Sequence, residues 1–155
     1  MSLASASTGR PLFKAPLAAG DIAPECALRG LDGATVDLRS DAIAGRPITV
    51  LFCPKFGPAV TEVLAGVRAR LDAFAAAGAK LFAITLEPAK AAAEQAIPFP
   101  VLLDRSGETF RSFNADTRDA PTTIVLRPNH HVAAILKDAG EVQARDALAA
   151  VERLA

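Results

Sequence analysis

Two continuous apolar runs dominate the hydropathy pattern of the chain. Ile48-Thr-Val-Leu-Phe-Cys53, rich in β-branched and aromatic residues and halted by Pro54, reads as a buried strand, and Lys80-Leu-Phe-Ala-Ile-Thr-Leu86 reads as a second. Between them Val63, Val67, Leu71 and Phe74 recur at helical spacing and stop short of Gly78. This predicts a helix over about 61–77 with Gly78 as its C-cap. Two buried strands joined by one amphipathic helix call for a right-handed crossover, so the strands are expected to be parallel, adjacent and central.

The flanking patterns are shorter. Ala34-Thr-Val-Asp-Leu38 alternates after an Asp32-Gly33 turn and suggests an edge hairpin. An Ala-rich helix is expected from about Pro88 to Gln95, a strand over Phe99-Pro-Val-Leu-Leu103 and a brief helix around Gly107 to Phe113. Thr122–Leu126 and Val132–Leu136 flank Arg127-Pro-Asn-His-His131, whose Pro-Asn step favours a turn, so they should form an antiparallel hairpin. A final helix is expected to bury Val142, Leu148, Val151 and Leu154 and to turn Glu141, Arg145, Glu152 and Arg153 to water. The expected fold class is α/β, a three-layer sandwich with a mixed central sheet and helices on both faces.

The 155 residues suit one domain, read here as 18–155 behind a flexible arm of residues 1–17. Met1 to Gly9 is small, polar and without a continuous apolar stretch, and so reads as a leader and not a signal peptide. A content of 51% hydrophobic and 22% charged residues with zero formal net charge argues against an electrostatically driven nucleic-acid partner. No apolar run approaches a membrane span, so the expected location is cytoplasmic. The two cysteines, Cys26 and Cys53, have neither C-x-x-C nor zinc-site spacing; they are read as free buried thiols or a long-range pair.

Four segments in order carry a family resemblance: Gly20-Asp-Ile-Ala-Pro24 with Leu31-Asp-Gly33; Thr49-Val-Leu-Phe-Cys-Pro-Lys55; Ile97-Pro-Phe-Pro-Val-Leu-Leu-Asp104 with Gly107-Glu108; and Ala120-Pro-Thr-Thr-Ile-Val-Leu126. Over about residues 18–155 the chain resembles the thioredoxin-like superfamily and, within it, the peroxiredoxin or redoxin (AhpC/TSA) group. The resemblance implies a thioredoxin-like sandwich and a peroxidatic cysteine in the loop after the first central strand. That loop reads Pro54-Lys55-Phe56-Gly57-Pro58-Ala59-Val60-Thr61 and holds no cysteine. Aligned without a gap, Thr61 takes the cysteine position; with a one-residue deletion, Val60 or Ala59 takes it. Neither Val nor Ala is a nucleophile, and a threonine hydroxyl cannot form the sulfenic acid on which peroxide turnover depends. Thr61 is read instead as a residue capping the helix.

On the facing side the resemblance implies an activating arginine where this chain has Pro121, with Arg118 three residues earlier and Thr122 next to it; it also suggests a cis Ala120–Pro121 bond. Cys53 is the one thiol near the loop, and Lys55 two residues on would lower its pKa. His130-His131 alternate in direction and cannot share one ligand face, so no metal is expected. Asp32, Asp104 and Asp116 sit beside turn signals, where they accept backbone N–H bonds. No cofactor is expected.

The leading expectation is thus a peroxiredoxin-like domain without its peroxidatic cysteine, serving as a binding, dimerisation or regulatory module. It would act with a protein partner, as a homodimer or with a fused catalytic domain. The chain is also similar to the cysteine-free peroxiredoxin-like domains joined to iron(II)/2-oxoglutarate oxygenases in bacteria. The alternative is a thiol oxidoreductase using Cys53, alone or with Cys26 as the resolving thiol. The expected contact surface is the sheet edge or the start of the helix after the loop, with an apolar rim of Pro54, Phe56, Pro58 and Pro121, the alternative being that Phe56 folds inward and plugs the pocket; in a third reading the loop N–H groups hold an anion or small ligand.

Overall fold

The computed structural model describes residues 16–39 and 45–154. The strands, in chain order, are β1 (Ala27–Gly30), β2 (Thr35–Asp37), β3 (Ile48–Cys53), β4 (Lys80–Thr85), β5 (Val101–Leu103), β6 (Thr122–Leu126) and β7 (Val132–Leu136). The helices are α1 (Pro58–Arg68), α2 (Leu71–Ala76), α3 (Ala89–Glu94), α4 (Glu108–Ser112) and α5 (Glu141–Glu152). The seven strands form one mixed sheet in the order β2-β1-β5-β4-β3-β6-β7. As expected from their continuous apolarity, β3 and β4 are adjacent and parallel, in register from Ile48 opposite Lys80 to Cys53 opposite Thr85.

Because strand side chains alternate, β3 feeds two cores at once. Ile48, Val50 and Phe52 enter one cluster, with Cys26, Phe110 and Phe113; Leu51 and Cys53 enter the other, with Val60, Val63, Val67 and Phe74 from α1 and α2 and Ala144 and Val151 from α5. Phe52 is closed in by Phe110, edge-on at 5.1 Å, and by Phe113 at 5.2 Å. Full burial of one such ring contributes about 2–3 kcal/mol.

The helix expected over 61–77 is two helices. The first begins earlier, at Pro58, where the missing proline N–H falls on a position that has no intrahelical acceptor. The chain turns at Ala69 and Arg70, and α2 then buries Phe74. Gly78, at φ +78°, closes α2 in a Schellman arrangement: its N–H reaches the Ala75 carbonyl at 3.0 Å, and Ala79 N–H reaches that of Phe74 at 3.1 Å.

β5 starts at Val101, two residues later than expected, since Pro98 and Pro100 have no N–H to donate to a ladder. Both hairpins are present and antiparallel, and a register shift lies between Val125 and Leu126.

The buried face of α5 differs from the expected stripe. Gln143, Ala144, Ala147, Ala150 and Val151 point inward, while Val142 is 37% exposed and Leu148 half-buried. Small residues win because α5 lies close against α1: a Cβ at Gly66 would meet the Ala144 Cβ at 2.9 Å. Of the expected N-terminal arm, residues 1–15 lie outside the described residues, and Leu17 packs against the core.

Candidate functional site

The loop leaving β3 runs over the carboxyl end of the parallel strands and delivers the chain to the N-terminus of α1. Gly57 is the N-cap residue, and Pro58, Ala59 and Val60 make the first turn. Thr61 donates its N–H to the Gly57 carbonyl at 2.9 Å, the first bond of the helix. The capping role expected of Thr61 is not found, because it sits one position past the first turn and no side chain caps this helix. The first turn also carries no acidic residue. Of the three candidates for the cysteine position, Ala59 and Thr61 are exposed and Val60 is buried under the helix.

Lys55, Gly57, Pro58 and Ala59 line a cleft of about 320 Å³ together with Asp119. Asp119 was not singled out in the sequence; its one signal there was its place beside Arg118 in the facing segment. Arg118 itself points to water, 86% exposed and 3.7 Å from Asp116, whose Oδ1 also accepts the Arg118 N–H at 2.6 Å. Pro121 and Thr122 are buried. Thr122 stands opposite Phe52, so its side chain belongs to the α4 face of the sheet, away from α1. The facing residues are therefore split between water and core and do not converge on the loop.

The Ala120–Pro121 bond is trans, since no cis peptide occurs among the described residues, in keeping with the intrinsic preference of such bonds. The Pro121 carbonyl instead accepts a hydrogen bond at 3.2 Å from Gln143, which also donates to the Asp138 carbonyl at 2.7 Å and accepts from the Thr123 hydroxyl at 2.5 Å. One buried amide thus ties the facing segment and Asp138 of the β7–α5 connection to α5.

The expected apolar rim is not one patch. Pro54 and Pro121 are buried, Phe56 is half-buried and packs against the cluster under α1, and Pro58 alone is exposed. Phe56 turns inward because its ring gains more from apolar neighbours than from water.

Cys53 ends β3 fully buried, with its thiol 3.7 Å from the Leu51 carbonyl. Burial pushes its pKa up to about 12, opposite to the lowering expected from Lys55, which is exposed. Cys26 is pushed up to about 12 as well, first by burial and then by the carboxylates of Asp104 and Asp37. Both thiols are free, and they lie in different clusters on opposite sides of the sheet. The long-range pair considered from the sequence is not formed.

The three acidic turn residues bond as expected: Asp32 accepts from Ala34 N–H at 3.0 Å, Asp104 from Phe110 at 2.9 Å and Asp116 from Arg118. His130, at φ +69°, shapes the turn between β6 and β7, and His131 bridges to Ile22. No group of three or more potential metal ligands gathers among the described residues.

A mixed sheet with this strand order, a loop feeding α1 at the end of its central parallel pair, and helices on both faces is the thioredoxin-like architecture of peroxiredoxins. The model of the AhpC/TSA family matches residues 19–135, and the chain belongs to that family. Among solved structures it is similar to the peroxidoxin BcpB of Mycobacterium tuberculosis, with a TM-score of 0.79 and 22% identity over 90% of this chain and 99% of that one. It is also similar to Mycobacterium tuberculosis AhpC, with a TM-score of 0.74 and 22% identity over 90% and 94%. The bacterioferritin comigratory protein of Xanthomonas campestris, described for its alkyl peroxide reduction activity, shares 27% identity over 83% and 90%, with a TM-score of 0.67. No curated protein matches the chain. None of the described helices is long and apolar enough to cross a membrane.

Proposed function

We propose that this chain is a peroxiredoxin-fold module without peroxidase chemistry of its own, working through association with a protein. The supporting observation is the state of the thiols. Ala59, Val60 and Thr61 occupy the start of α1, and the two cysteines of the chain are buried with pKa values near 12 on opposite sides of the sheet. Peroxide reduction starts with a thiolate attacking the O–O bond, and a thiol with that pKa is almost wholly protonated at neutral pH. The partner is a second copy of the chain or a catalytic domain, and the resemblance to domains joined to iron(II)/2-oxoglutarate oxygenases names one such domain. The setting proposed is a bacterial cytoplasm.

The likeness to a protein described for alkyl peroxide reduction favours a second reading, a thiol oxidoreductase using Cys53. That chemistry requires the end of β3 to open and expose the sulfur, a local unfolding of a central strand. Peroxide consumption with a thioredoxin recycling system, on the wild type and on Cys53→Ser, separates the two. The module reading expects both proteins at the uncatalysed rate. Turnover that disappears in Cys53→Ser overturns it in favour of the second.

A further inference from the structure

We draw no further inference here: the strongest candidate, the cleft of about 740 Å³ between α2, the start of β4 and the Pro98–Pro100 segment, is an unpartnered apolar face, and nothing in the structure shows what covers it.

Discussion

The two thiols should be chemically silent until the protein unfolds. An exposed cysteine has a pKa of about 8.5, so at about pH 7.5 roughly one in ten is thiolate. At a pKa of about 12 the fraction falls to roughly one in thirty thousand, a loss of about three-thousand-fold before steric exclusion is counted. Native protein mixed with Ellman's reagent should therefore react at least about a thousand times more slowly than a small thiol, and both sulfurs should react promptly in concentrated guanidinium.

The same shift has a consequence for stability. Below the unfolded pKa both states hold the thiol proton and nothing changes with pH. Above it the unfolded chain ionises while the folded chain does not, so stability falls as pH rises from about 9 toward about 12. Each thiol should lower the folding equilibrium constant roughly tenfold per pH unit in that window. Urea midpoints measured between about pH 8 and pH 10 should drop, and in the double variant Cys26→Ala/Cys53→Ala the drop should be smaller by the contribution of two protons. One sulfur reacting promptly in the native protein and lost in Cys53→Ser, or an unchanged pH slope in the double variant, would refute the reasoning.

Gly66→Val should lower the urea midpoint by the equivalent of about 2 kcal/mol or more, because even a Cβ would stand 2.9 Å from Ala144 and 3.1 Å from the Glu141 backbone; an unchanged midpoint would show that α1 and α5 can part without cost. Gln143→Ala should cost about 2–4 kcal/mol, read by calorimetry as a clear fall in Tm, since it leaves the Thr123 hydroxyl and two carbonyls without their partner; a loss under about 0.5 kcal/mol would mean water replaces the amide. Gly57→Ser should stabilise by about 0.5–1 kcal/mol, raising Tm by about 1–4 °C, and a fall would refute the cap geometry.

The central strands were legible because burial on both faces leaves no room for polar residues, so β3 and β4 announce themselves as continuous runs. The α5 face was not. Ranking its residues by hydropathy selects Val142, whereas closeness to Gly66 decides for alanines, and Gln143 enters the core because Pro121 and Thr123, distant in sequence, join the nearby Asp138 carbonyl in satisfying its amide. No local pattern encodes that. The start of α1 follows from the preference of proline for the first helical position, which apolar spacing alone does not reveal. The loop's composition read as an apolar rim because sequence does not say which way a ring turns. Phe56 and Pro54 turned in, leaving Lys55, Pro58 and Ala59 with Asp119 on the surface.

Gly57 is where helix stability and the proposed association can be tested together. Its backbone, at φ −131° and ψ −170°, suits any residue, and a Cβ there would meet nothing within 4 Å. A serine in that place would satisfy an N–H of the first turn, and it would leave the unfolded chain with less freedom to lose. A helix start serving only as scaffold gains from such a cap. If instead the partner contacts the cleft beside Ala59, the added side chain and the occupied N–H should weaken that association while the fold becomes more stable. Measuring Tm together with sedimentation of the chain, alone and mixed with an oxygenase domain, distinguishes the cases. Greater stability with weaker association supports a contact through the loop. Greater stability with association unchanged removes the loop from the interface and leaves a sheet edge, β2 or β7, to carry it.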